Sequence, residues 1–334
     1  MSRATHTPTP ADYAALRTEA ALADQSARLR LTFAGDQAAA SLTGLLTNDV
    51  LALQPGHGQY AAALTPKGKV LADVRIFRQS NGDFLVDAPA AAAAGLLAMV
   101  KKYVNPRLAK YQDVSAMLAC IGVVGPHARA IIAHALNCSP ATFDLLPPYA
   151  STNVPFGDGT VTVARTPDYG VDAFDCFVPA TQSESLRTAL GAAGAGAASE
   201  SALHTVRIEA GRPAWGEDMD DETLTQEALL DTLDAISYTK GCYTGQEVVA
   251  RLHFRGHVNK LLRGLQLAAP ISGDARVVNG DADVGDVRSR AISPRLGAVA
   301  LAMLRREVEP GTTVTVRHEG GDTAATVVAL PFSA

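Results

Sequence analysis

The chain is poor in cysteine. Its 334 residues hold four, Cys120, Cys138, Cys176 and Cys242, and no two form a C-x-x-C pair. No Cys/His cluster has zinc spacing either, so no metal site is expected. Isolated thiols fit a reducing compartment, where free cysteine packs as a small hydrophobe. No secretory leader is expected, because MSRATHTPTP has no apolar core. The longest apolar run, Ala88 to Val100, ends at Lys101 and Lys102. It is short of the roughly 18 residues that mark a membrane span. No membrane partner and a cytoplasmic location are therefore expected. Positive charge is in deficit, 29 Lys and Arg against 34 Asp and Glu, for a net charge of −5. That excludes a chain-wide nucleic-acid footprint, and no direct nucleic-acid partner is expected. The absence of a G-x-G-x-x-G fingerprint removes the dinucleotide-binding reading.

What is present is a globular composition, 47% hydrophobic and 19% charged, in a chain longer than one typical domain. Residues Met1 to Pro10 read as a disordered lead-in. A helix is expected over Tyr13 to Ala23, a strand over Arg28 to Phe33, and a helix from Gly35-Asp36 to Leu46 with Asp36 as N-cap. Gln59 to Leu64 and Lys69 to Gln79 read as strands joined by the turn Thr65-Pro66-Lys67-Gly68. Asn81-Gly82 marks a hairpin into Asp83 to Asp87. A helix over Pro89 to Lys102, a strand over Ala116 to Val124 and a helix over Pro126 to Leu136 follow. The proline-bearing segment Asn137 to Gly159 reads as a long connection. Thr160 to Arg165 and Val171 to Val178 form a further hairpin, and two helices flank a Gly/Ala-rich break at Gly191 to Ser199. Beyond Lys260 only short, evenly spaced strands remain, as in a small antiparallel barrel or sandwich. The fold class is α+β, with an all-β C-terminal domain over 259–334 behind a mixed region over 12–258.

Three segments carry candidate chemistry. In Lys240-Gly241-Cys242-Tyr243-Thr244-Gly245-Gln246-Glu247, Lys240 stands two residues before Cys242, and a nearby cation favours thiolate. A helix starting near Thr244 would add its positive end. Cys242 is either a reactive thiol or a structural cysteine in a tight turn. Downstream, Glu247 and Arg251 have the spacing of a helical pair. Arg251, His253, Arg255 and His257 also alternate as on one face of a strand. The interval Lys240 to Arg263 holds five basic residues and one acid, a solvated face or an anion-binding surface. In Arg207-Ile208-Glu209-Ala210-Gly211-Arg212-Pro213-Ala214-Trp215, Glu209 is a carboxylate able to accept paired N–H donors such as a pterin offers. Trp215, the single tryptophan, either packs in a core or stacks on a flat ligand. In Lys67 to Arg75, Asp73 interrupts an apolar strand and is a candidate base or amine-orienting group.

The run KGCYTGQE followed by V-A-R resembles the signature of the YgfZ proteins. LLTNDV (Leu45 to Val50, including Asn48), KGKVLADVRIF and RIEAGRPAWGED lie in that family's order, so the resemblance spans about Leu29 to Leu265. The family is similar to glycine-cleavage T-protein, and the resemblance implies a three-domain ring around a central folate channel. It implies tetrahydrofolate or a one-carbon derivative as cofactor and Glu209 as the pterin carboxylate. Trp215, Asn48, Tyr243, Gln246, Arg251 and Arg255 become further folate-contacting candidates. Cys242, Lys240 and Asp73 become the chemical residues. The implied role is support of iron–sulfur enzymes, tRNA-modifying ones included, with client or assembly proteins as partners. Where T-proteins carry two acids this chain has Ala72-Asp73. Two alternatives stand beside this reading, a folate-dependent aminomethyl- or methyltransferase and a non-catalytic folate-sensing adaptor. A polyglutamate tail on the folate would meet Arg251, Arg255, His257 and Lys260.

Overall fold

The computed structural model describes residues 5–333, which form three sheets, with a cavity walled by the first two and the segment 207–215. The first sheet is antiparallel, in the order Gly58–Leu64, Val70–Arg78, Phe84–Ala88, Leu29–Ala34, Lys110–Asp113. One face is closed by helix Ala93–Tyr103, whose Leu96, Met99 and Val100 join Val74, Ile76 and Val86 in a core. The 3.6-residue spacing of those three side chains is what turns them together onto the sheet.

The second sheet runs Gly196–Ala197, Ala21–Asp24, Leu118–Val124, Ala173–Pro179, Gly159–Arg165, Ser151–Phe156. Helices Ala128–Ala135 and Ser183–Ala192 cover it through Ile131, Ile132, Leu186 and Leu190. The helix expected over Tyr13 to Ala23 is instead Pro10–Thr18, capped by the Thr9 hydroxyl, with Ala21–Asp24 a buried strand. A run rich in alanine favours helix locally, but here strand pairing with Leu118–Val124 prevails. The connection expected over Asn137 to Gly159 contains a strand, Ser151–Phe156, which tolerates Pro155 because it is the sheet edge.

The third sheet is a six-stranded antiparallel barrel, closed by pairing of Ala282–Ser293 with Gly297–Arg305. Val277, Val287, Ala300, Val316 and Val327 fill it by period-two alternation. The expected lead-in is ordered from Thr5, where Thr5–His6 pairs alongside Ala282–Ser293; Met1 to Ala4 lie outside the described residues. Asp36 does not cap the next helix, which begins at Ala38 after an uncapped Gln37. No helix among the described residues is long and apolar enough to cross a membrane.

Helix Glu200–Glu209 ties these units together. Ala202 and Val206 pack on the N-terminal helix and second sheet, while Ile208 packs on the barrel with Leu262, Val299 and Leu301. The segment after this helix therefore leaves from the junction of the units and reaches the cavity wall.

Candidate functional site

The cavity is built on a polar row across the first sheet. Tyr60, Arg75, Asp87 and Arg30 stand directly opposite one another on neighbouring strands, and Asp73 shares the face of Arg75 two residues away. The enclosed part is about 160 Å³ and is lined by Arg28, Tyr60, Asp73, Arg75, Asp168, Tyr169, Arg207, Arg212 and Trp215, among others. A wider cleft of about 440 Å³ adjoins it through Tyr60 and Arg212, which line both, and is bordered by Asn48, Tyr149 and Asp234. The enclosed part alone is below the roughly 300–1,000 Å³ of small-molecule sites, and the cleft brings the combined space into that range.

Asp73 is the most unusual group in this wall. It is 8% exposed; Oδ2 accepts a hydrogen bond from Tyr60 at 2.9 Å, and Oδ1 is buried with no partner. Burial pushes its pKa up, against the pull of Arg28 and the Tyr60 hydrogen bond. Burial and the neighbouring Asp73 push Tyr60 well above the usual phenol range, so Tyr60 is the donor in this pair. The result is a desolvated carboxylate in the cavity wall with one oxygen left without a partner, suited to receiving an amine N–H or a proton.

Arg75 organises the charges behind it. Its Nη2 reaches Asp87 at 2.7 Å, and its Nη1 stands 2.6 Å from Asp175 and 3.3 Å from Asp168. Asp175 and Asp168 belong to the second sheet and its loop, so one guanidinium bridges the two sheets that face the cavity. Burial alone would raise Asp87, but Arg28 and Arg75 outweigh it and hold the carboxyl below its usual range. Asp175 stays raised, because burial outweighs the attraction of Arg75.

Trp215 joins the cavity wall with its Nε1 donating to Val70 O at 3.2 Å, which fixes the indole plane. It is also packed against two cores, so the packing and ligand-facing alternatives both hold in part. Asn48 borders the cleft and donates to Tyr60 O and Asp234 O at 2.9 and 2.7 Å, tying the sheet to the opposite loop. Glu209 is not brought to this cavity. Its carboxylate is buried and accepts from Tyr13 at 2.8 Å, Arg17 and the Ser293 hydroxyl, with Arg295 3.6 Å away. The paired-donor chemistry expected of it is supplied by the N-terminal helix and the barrel.

The KGCYTGQE segment lies apart from the cavity lining as well. The Lys240 ammonium turns away from the thiol to the carbonyls of Thr43 and Leu46, at the C-terminal end of helix Ala38–Leu45. A cation there satisfies orphan carbonyls and complements the helix dipole. Half-burial lowers its pKa to about 8. Tyr243 is a core residue beneath it, its ring centroid 4.4 Å from Nζ. The helix expected to start near Thr244 begins at Gln246 with Gly245 as N-cap, and Gln246 is half-exposed at its first turn. Gly245, at φ +81°, starts it, and a Cβ there would stand 2.7 Å from Thr65 O. Gly68, at φ +75°, faces Val248 equally closely. These two glycines lock the motif onto the turn that leads into the Asp73 strand. Arg251 and Arg255 are exposed on a helix, Gln246–Arg255, so the basic residues fan around it and do not form a strand face. His253 stacks on Tyr238 at 3.6 Å.

Cys242 is exposed, Cys138 intermediate, Cys120 and Cys176 buried. Burial pushes the thiols of Cys120 and Cys176 well up, and that of Cys138 up as well. Brief alkylation of the native protein is expected to label Cys242 first, with Cys120 and Cys176 reacting only after denaturation. Peptide mass mapping checks this, and early labelling of Cys120 would contradict the packing described.

Sequence reasoning missed Tyr60, Arg28, Arg75, Asp168, Tyr169, Arg207 and Arg212. Arg75 carried a signal, since it repeats the inward face of Asp73 within an apolar strand. Asp168 and Tyr169 carried none, because only the docking of the two sheets brings their hairpin loop to the cavity.

Two sheet-and-helix units walling a polar cavity, joined to a closed barrel, define a T-protein-like α+β fold. Residues 2–237 match the family model for the GCVT N-terminal domain, and residues 260–333 that for the glycine cleavage T-protein C-terminal barrel domain. The aminomethyltransferase of Saccharopolyspora erythraea is 32% identical over 330 residues, covering 96% of this chain and 89% of that protein. That of Ralstonia pickettii is 32% identical over 342 residues, covering 96% and 88%. The crystal structure of glycine cleavage system aminomethyltransferase T from Bartonella henselae superposes with a TM-score of 0.86 at 23% identity, covering 97% of this chain and 89% of that one. The chain belongs to the glycine cleavage T-protein family.

Proposed function

We propose that the protein binds a reduced folate in the central cavity and serves one-carbon transfer there, with Asp73 orienting the amine that gives or receives the carbon. The carrying observation is Asp73 Oδ1, a buried acceptor without a partner in a cavity wall. The donor set fits the group. Trp215, Tyr169 and Tyr60 offer flat apolar surfaces for a pteridine, and Arg212, where the enclosed part meets the cleft, offers a charge for a carboxylate tail. A bound tetrahydrofolate would supply the secondary amine at which a one-carbon unit is carried. The chain's own part is to bind and desolvate that amine and to hold a carboxylate beside it. The relatives named aminomethyltransferase favour this reading.

Anaerobic calorimetry with tetrahydrofolate tests it. Wild type is expected to bind at a single site, with Trp215→Ala and Arg212→Ala each weakening affinity by about tenfold, the value of roughly 1.4 kcal/mol of lost contact. Absence of binding by the wild type would remove the folate premise.

A second reading is favoured by the exposure of Cys242 away from the cavity. Together with the resemblance of its motif to the YgfZ signature, it supports a thiol offered to a partner protein in iron–sulfur enzyme maintenance. Arg251, Arg255, His257 and Lys260, all exposed, would be a docking strip for such a partner. In a strain lacking the native protein, Cys242→Ser would then fail to restore iron–sulfur enzyme activity while still binding folate. Full rescue would end this reading.

A further inference from the structure

Three side chains distant in sequence converge outside the cavity lining. His6 comes from strand Thr5–His6, His204 from helix Glu200–Glu209, and Glu217 from the loop after Trp215. Their ligand atoms all lie within 4.8 Å of one another; the two imidazoles stack nearly parallel, with centroids 4.1 Å and planes 12° apart, so a turn of the His6 ring is needed for both in-plane lone pairs to meet on one ion. We propose that His6, His204 and Glu217 form a binding site for a divalent transition-metal ion of the zinc class, held by three protein donors.

The geometry of His204 carries the assignment. Its Nδ1 is buried, has no hydrogen-bond partner and stands 3.6 Å from Glu217 Oε2. Two donors about 2.0–2.1 Å from zinc at a tetrahedral angle lie about 3.3 Å apart, so small rotations bring this pair onto one ion. Its other nitrogen, Nε2, faces Glu200 Oε1 at 3.8 Å, one turn earlier on the same helix. A carboxylate behind the second ring nitrogen is the arrangement that orients metal-bound histidines.

The electrostatics agree. Burial first, then Arg207, hold both imidazoles below their usual range, His204 at about 3. Glu200, Glu217 and Asp218 lie around the rings, with the Arg207 guanidinium among them. Arg207 reaches Glu217 Oε2 at 2.9 Å, so an ion would share that carboxylate with it, and moderate affinity follows. Three donors of two types also leave at least one coordination position open to water or a small anion. Binding would clamp the N-terminal strand, which pairs with the barrel at Thr5 and His6, to the helix that lies between the second sheet and the barrel.

The test uses the full, untagged chain stripped with chelator. Titration with Zn²⁺ by calorimetry, and with Co²⁺ by visible absorption, is expected to give one equivalent and a higher melting temperature. His6→Ala and His204→Ala should each weaken binding by about tenfold or more, and Glu217→Gln by a smaller factor. His134→Ala and Cys242→Ser should leave it unchanged. Unaltered metal-free circular dichroism and melting of His6→Ala guard against a folding defect. No saturable binding, unchanged affinity in the His6→Ala/His204→Ala double variant, or loss of binding in Cys242→Ser would each overturn the assignment.

Discussion

Replacing Asp73 by Asn is expected to leave the protein folded, raise its melting temperature at neutral pH, and cut folate-dependent one-carbon transfer by about 10²–10⁴-fold. The two effects have one cause. Burial raises the Asp73 pKa in the folded state above that of the unfolded chain. The native state therefore binds the extra proton, and the contribution of this group to stability falls as pH rises from the unfolded to the folded pKa. Above that window the ionised carboxylate is a net cost to the fold. Asparagine keeps the shape and an acceptor for the Tyr60 hydroxyl while removing the charge. The stability gain should shrink as pH falls from 7 to 4, where the wild-type group increasingly takes up its proton. Turnover falls because the amide cannot take a proton and puts an uncharged group in the cavity wall where the unpartnered Oδ1 stood. Thermal melts at pH 7 and pH 4, beside a transfer assay, read both effects. Lost activity with a lowered melting temperature would make Asp73 a structural residue, and unchanged turnover would remove it from the chemistry.

Asp73 and its strand were legible in the sequence because a two-residue period is a local property. One acid within Val70–Arg78 must share a face with Arg75, whatever the fold. The barrel was legible for the same reason, as alternation repeated over short strands. Proximity across the chain was not. Lys240 and Cys242 are neighbours in sequence, yet the lysine stem runs to the end of helix Ala38–Leu45 while the thiol faces solvent. Glu209 reads as a ligand carboxylate because nothing local reveals Tyr13, Arg17 and Ser293 arriving from 84 to 196 residues away. The basic residues after Glu247 alternate, but Gly245 in a left-handed conformation, Glu247 in the first turn and buried Val249 fit a helix better. The cavity itself is a tertiary product, since its walls come from two sheets and the segment that follows helix Glu200–Glu209.

The largest loss of stability is expected from Arg75→Met. Methionine retains much of the stem's packing but leaves Asp87 and Asp175 buried without their shared cation. Breaking a buried ion pair from one side costs about 3–5 kcal/mol, against about 0–1 kcal/mol for an exposed pair. In the wild type Asp87 has a lowered folded pKa, so its contribution is present above the unfolded carboxylate range and is lost as pH falls through the folded value. In the variant Asp87 keeps only Arg28, at 2.5 Å, and Asp175 loses the guanidinium that partly offsets its burial. Both carboxyls then rise, and the folded variant gains stability as pH falls and they take up protons. The deficit relative to wild type should therefore be greatest at pH 7 and narrow towards pH 4. Arg75→Lys is expected to recover only part of it, because a point charge cannot reach three carboxylates from two sheets as a planar fork does. Folate affinity should fall in parallel, since this side chain fixes the distance between the sheets that wall the cavity. Urea unfolding at two pH values, with calorimetry on each variant, measures all three. A loss below about 1 kcal/mol that is the same at both pH values would mean that Arg75 acts like an ordinary surface charge and that apolar contacts such as Phe77 on Phe177 hold the two sheets together.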